Sequence, residues 1–159
     1  MKQPVLKNTD RIICKMLQEN ARIPLSAVAE KVDLSIPSVS EHVRKLEEAG
    51  VITGYTAKLN PLAFDYDITA FIFVTLESSI YYQNFIEQSR LHQEILECHA
   101  ITGEASHLLK IRTKSMVSLE KLLSTVQQWD GVRRTLTNLV LSTHIETLAL
   151  DTDAEALKK

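Results

Sequence analysis

Two short amphipathic helices separated by almost no chain constrain this sequence more than any other feature. Leu25, Val28, Ala29 and Val32 recur at helical spacing and make one apolar face. Only Asp33 and Leu34 intervene before Ser35, a natural N-cap, and Pro37, which suits the first turn of a new helix. Val39, Val43 and Leu46 then build a second apolar face, and Gly50 supplies a stop. Asp33 has to take the turn, where a short polar side chain tolerates the left-handed conformation less comfortably than glycine. Helices this short cannot bury their faces on each other alone. The preceding run supplies a third, from Asn8 or Thr9 to Asn20, with Ile12, Ile13, Met16 and Leu17 as its stripe. Asn8 or Thr9 serves as its cap, and Asp10 sits near its positive start.

Three helices followed by a hairpin wing at Gly54-Tyr55-Thr56-Ala57 predict a winged helix-turn-helix. On the second helix of the motif, Ser38, Glu41, His42 and Lys45 point away from the apolar face and Arg44 lies on its flank. Short hydroxyls and charged tips are what reach base edges and phosphates in a major groove. The predicted DNA face is therefore Ser38, Ser40, His42, Arg44 and Lys45. Arg44 and Lys45 suit phosphates, and Ser38 and His42 suit base choice. The plainer alternative is a small helical bundle with a solvated polar face.

The net charge of −2 looks wrong for a DNA binder until the chain is divided. Residues 1–60 hold 9 Lys/Arg against 7 Asp/Glu, whereas residues 61–159 hold 9 against 13. The front is mildly basic and the rear acidic, which favours nucleic-acid contact by the front half. So mild a balance suits a protein that gains affinity by presenting several reading heads together. Cys14 and Cys98 fall within apolar patterns far apart, as ordinary thiols of a cytoplasmic protein do. No apolar run is long enough to span a membrane and no secretory segment opens the chain, so no membrane partner is expected.

The pattern changes after Asn60-Pro61, which places a domain boundary there, with 1–60 and 61–159 as the two parts. Ile68 to Leu76 is β-branched and aromatic, so it reads as a strand. A helix follows from Tyr81 to about Leu91, then strands over Ile95–Thr102 and Ser106–Thr113 around a Gly103-Glu104 turn. A second helix covers Ser115 to Trp129, Gly131 ends it, and a last long strand runs from Val132 to about Leu148. The order β-α-β-β-α-β is the ferredoxin-like arrangement, and the fold class is α+β. In the first strand Ile68, Ala70, Ile72, Val74 and Leu76 share one face and Phe71 and Phe73 the other. Helices can cover only one of these faces, so the other predicts a partner sheet and at least a dimer. Nothing in the sequence forms a phosphate-binding glycine loop, a nucleophile motif or a metal-spaced cluster, so no catalytic residue, metal or cofactor is expected. His99 and His107 fall on adjacent predicted strands, where they are placed to face each other, in a structural or surface role.

In this order the two halves resemble the Lrp/AsnC ("feast/famine") family of transcription factors. The resemblance rests on Leu25 to Ile52 with its Val-Arg-Lys-Leu-Glu-Glu-Ala-Gly-Val-Ile ending, the Gly54–Ala57 wing, and Leu59-Asn60-Pro61. It continues through Glu97-Cys98-His99, Thr102-Gly103 and Leu108-Leu109-Lys110. It implies a DNA reader of double-stranded DNA joined to a RAM-type domain that dimerises through its sheet, builds tetramers or octamers, and binds a free amino acid between dimers. The implied effector residues are Gly103, Glu104, Ala105, Ser106, Met116, Thr135 and Thr137, with Asn138 nearby. Backbone amides at Gly103 to Ala105 suit the carboxylate, Glu104 or a backbone carbonyl the ammonium, and Met116 with neighbouring aliphatics the side chain; the plainer reading of Glu104 is a solvated turn carboxylate. The chain departs from the family at Asp33, usually glycine, and at Glu41 and His42, often two basic residues. Ser106 and His107 also stand where an acid and a tyrosine are common. Two alternatives differ in function: a DNA-wrapping architectural regulator without effector, and a small ferredoxin-like enzyme with an accessory helical domain.

Overall fold

A computed structural model of the chain describes residues 5–152. It divides into two compact units, one formed by the chain up to Lys58 with the segment from Glu146 onward, the other by Leu59–Ile145.

The first unit holds α1 (Asn8–Glu19), α2 (Leu25–Val32) and α3 (Ile36–Glu48). Ile13, Val28, Ala29, Val39 and Leu46 are buried at its centre, with Met16, Leu17, Leu25, Val32 and Val43 packed around them. Neither Asn8 nor Thr9 is the cap of α1, because both already lie in the helix: Lys7 is the boundary residue, and its amide donates to Asp10 Oδ2 at 2.9 Å. The tight turn works as the sequence requires, because Asp33 adopts φ 54°, ψ 50° and the Leu34 amide closes on Ala29 O at 3.0 Å. Ser35 caps α3 by accepting from the Ser38 amide, and Pro37 lies in the first turn. After α3, residues 53–60 run without strand pairing, so the wing is a single extended segment, not a paired hairpin. Tyr55 anchors it by donating its hydroxyl to Glu47 Oε1 at 2.9 Å.

The returning segment lies along α1. The Gln18 side-chain amide exchanges two hydrogen bonds with the Leu150 backbone, at 3.0 and 2.7 Å. Arg11 and Thr152 exchange two more, each at 3.3 Å. Lys58 donates to Glu146 O at 2.8 Å.

The second unit has β1 (Ile68–Leu76), α4 (Tyr82–Arg90), β2 (Ile95–Ala100), β3 (His107–Thr113), α5 (Met116–Gln127) and β4 (Val132–Leu139). The strands form one antiparallel sheet in the order β2-β3-β1-β4. Ala70, Ile72, Val74 and Leu76 of β1 and Leu109 and Ile111 of β3 bury against Phe85 of α4 and Leu119, Leu122 and Val126 of α5. Phe71 and Phe73 stand on the other face, as period-two alternation requires. The last strand is shorter than expected. Leu139 pairs with Ala70 and the Val140 amide reaches Thr69 O, and there β1 runs out of partners. Gly131 does more than end a helix. It sits at φ 78°, and a Cβ there would lie 2.1 Å from the Tyr81 ring.

Candidate functional site

Helix α3 brings the five predicted DNA-contacting residues onto one element, but it leaves them in different states. Ser38 and Ser40 are exposed. The Ser38 hydroxyl lies 2.9 Å from the Ser35 hydroxyl, so it is engaged in the cap. His42 is half-buried, and its Nδ1 lies 2.7 Å from Asp10 Oδ1 on α1. Burial works against the charge on Asp10, yet the hydrogen bonds from His42 and the Lys7 amide outweigh it and hold the carboxyl below its ordinary range. This pair latches α1 to α3 and turns the imidazole inward.

Arg44 is gripped by two acids of its own helix. Its Nε and one terminal nitrogen meet Glu41 at 2.8 and 2.7 Å, and the other terminal nitrogen meets Glu48. The Arg44 hydrogen bond holds Glu41 down at about 2. Lys45 Nζ is 3.4 Å from the same Glu41. These pairs are exposed, so solvent screens them and phosphates can compete for the cations. Tyr55 is pushed up to about 12 by burial and by its bond to Glu47, which keeps the hydroxyl protonated on the acid. Sequence spacing carried the signal for Arg44 with Glu41 and Glu48, at i−3 and i+4. Asp10, 32 positions from His42, had none.

In the second unit the candidate effector residues fall into two groups. The turn Gly103–Ser106 packs beside the end of β1: the Ser106 amide donates to Val74 O at 3.0 Å and Thr75 Oγ1 to Glu104 O at 3.4 Å. Gly103 has φ 118° with open space where a Cβ would stand, and Glu104 is exposed. Thr135 pairs with Val74 on the other side of β1, so it flanks the same end. Its hydroxyl accepts from Gln127 Nε2 at 2.9 Å. Met116, 54% exposed, starts α5 just after Thr113, the residue paired with Ile68 at the far end of β1. One chain therefore does not bring Met116 to the turn. Asn138 also stands apart, since it pairs with Phe71 on the outer face whereas Thr135 and Thr137 pair with the core residues Val74 and Ile72. A shallow groove of about 320 Å³ lined by His92, Glu94, Ser118, Lys121, Leu122 and Thr125 contains none of these residues.

Ser106 shapes the turn from within. Its hydroxyl bridges Val74 O and the Leu76 amide, each at 3.1 Å, and meets His107 Nδ1 at 3.1 Å. His107 is fully buried beneath the rings of Tyr82 and Phe85, and among the described residues its Nε2 has no hydrogen-bond partner. Burial lowers its pKa. The expected meeting of His99 and His107 does not occur. His99 faces outward opposite Leu108 and bonds Glu97, whereas His107 points into the core, because adjacent registers alternate faces. Both cysteines are free thiols, raised mainly by burial. Among the described residues no group of three metal-binding side chains occurs, and no helix is long and apolar enough to cross a membrane.

Residues 6–53 match the winged helix-turn-helix DNA-binding family, and residues 69–150 match the Lrp/AsnC ligand binding domain. The HTH-type transcriptional regulator FL11 of Pyrococcus abyssi is 34% identical, covering 91% of this chain and 95% of its own. The leucine-responsive regulatory protein of Escherichia coli is 36% identical, covering 86% and 85%. The crystal structure of transcriptional regulator NMB0573 from Neisseria meningitidis in complex with L-Met is 30% identical. It covers 92% of this chain and 96% of its own, with a TM-score of 0.86.

Proposed function

The chain belongs to the Lrp/AsnC family of transcriptional regulators, and from that premise we propose that it reads double-stranded DNA with α3 and binds a free amino acid at a seam between its own copies. It is a DNA-binding regulator by family. The face we assign to DNA is the exposed side of α3, with Ser40 and Lys45 on it and Arg44 released from its glutamates by phosphate.

The observation that carries the effector reading is the division of the candidate site. Gly103 and Glu104 lie at one end of the sheet and Met116 at the other, and all three are exposed. Strand β3 lies between them and spans roughly 23 Å at about 3.3 Å per residue, so one chain cannot close a pocket around one amino acid. Two copies packed end to end can. The open turn then offers amides to a carboxylate, Glu104 offers its carboxylate to an ammonium, and a flexible thioether from the neighbour adapts to the side chain. The relative crystallised with L-Met supports an amino acid as the ligand class.

Dimerisation is supported by the outer sheet face. Phe73 lies between Leu108 and Leu136 across three strands, and Leu136 is 51% exposed. A second sheet would cover this row and set two α3 helices on one DNA. The test is a thermal-shift screen of the amino acids at millimolar concentration, read alongside sedimentation. At least one amino acid should raise the melting temperature and change the mass, and Gly103→Val should abolish both while leaving a dimer. No response to any amino acid would leave a DNA binder without an effector.

A further inference from the structure

We infer that Ile36 is a specificity-determining residue that reads the 5-methyl group of thymine in the major groove; the inference rests on α3 being the helix that enters the groove. Between Leu6 and Ile52, Leu34 and Ile36 are the exposed large hydrophobic side chains, at 36% and 50%. Neither is among the buried or half-buried side chains that build the first unit's core. Leu34 has a structural reason for its place, because its amide completes the turn after α2. Ile36 has none. It is the first residue of α3, directly after the Ser35 cap.

Its polar neighbours are already engaged. Ser35 and Ser38 hold each other in the cap, His42 is turned onto Asp10, and Arg44 lies between Glu41 and Glu48. Ile36 shares a ridge with Ser40 and Arg44, at i, i+4 and i+8. The first turn of a reading helix is the part that meets base edges. In that groove an apolar side chain finds one apolar feature, the thymine methyl. An exposed β-branched side chain at this point costs solubility and contributes nothing to the core, but it loses little conformational freedom when it is packed against a methyl group.

The experiment uses the full chain and duplexes that it selects from a random-sequence pool. Each thymine of a selected duplex is replaced in turn by uracil, which removes only the methyl group. For the parent, one or two replacements should weaken binding by about fourfold, the transfer value of one buried methyl. Ile36→Ala should weaken binding to the thymine duplex by a similar factor and show no further loss with uracil at those positions. Ile36→Val should keep part of the discrimination. A full uracil effect persisting in Ile36→Ala, or no uracil effect in the parent, overturns the assignment. Ser40→Ala and Lys45→Ala separate the two levels. If they weaken binding while Ile36→Ala keeps the discrimination, only the Ile36 assignment fails. If they too leave affinity and its salt dependence unchanged, α3 is not the reading helix.

Discussion

Around α3 the polar side chains are tied to one another: Asp10 to His42, Arg44 to Glu41 and Glu48, Tyr55 to Glu47. In the second unit the groups proposed for the effector are left over. Gly103 faces open space, Met116 is exposed, and the buried His107 Nε2 has no hydrogen-bond partner among the described residues. The cores differ as well. Five buried side chains centre the first unit and ten centre the second. A small core leans on caps and latches to hold its shape, and the side chains of α3, whose exposed side we propose as the DNA face, are tied by ion pairs. A larger core can carry an unpaired nitrogen in its interior and an open glycine turn at its edge, where we propose the ligand.

The largest difference between the two units should lie in their cores. Ile13→Ala and Ile111→Ala each remove a fully buried side chain, and each should cost about 2–5 kcal/mol. The smaller unit should show the larger fall in melting temperature, because a smaller unfolding entropy converts the same loss into more degrees. Calorimetry resolving the two transitions checks this, and equal falls would mean that the units melt as one.

The next largest effect is pH-dependent. His107 is lowered by burial, so the unfolded chain binds its proton more readily than the folded one. Its contribution to stability is complete above about pH 6.5 and is lost as pH falls below that value, at no more than about 1.4 kcal/mol per pH unit. His107→Phe should flatten denaturant stability between pH 7 and 5. An unchanged slope would show that the titration lies elsewhere.

The smallest effect concerns the caps. Ser35→Ala and Ser115→Ala each remove a hydroxyl that accepts from the amide three residues on, at a cost of about 1 kcal/mol. In the reading unit that loss should also weaken DNA binding, whereas Ser115→Ala should leave it unchanged. Anisotropy titrations of the two variants decide the point.

Local rules made most of the fold legible. Val39, Val43 and Leu46 at helical spacing gave α3, Ser35 gave its start, and the alternation of Ile68 to Leu76 gave a strand with two distinct faces. The end of β4 was not legible, because it depends on where β1 begins. The folding back of Leu150 and Thr152 onto α1 was equally hidden, since it joins residues more than a hundred positions apart. In the site, Arg44 with its two glutamates was written in i−3 and i+4 spacing, and the opposite parity of Asn138 to Thr135 and Thr137 was written in the strand period. The latch of His42 on Asp10 was not, whereas the separation of Met116 from Gly103 follows from the strand that lies between them.

A DNA titration of the full chain, with and without the amino acid that shifts its melting temperature and repeated with Gly103→Val, decides whether one seam couples ligand, assembly and DNA. For the parent the amino acid should change both the DNA affinity and the mass of the bound assembly, and for the variant it should change neither. A parent whose DNA affinity and mass are untouched by an amino acid that it binds would contradict that coupling.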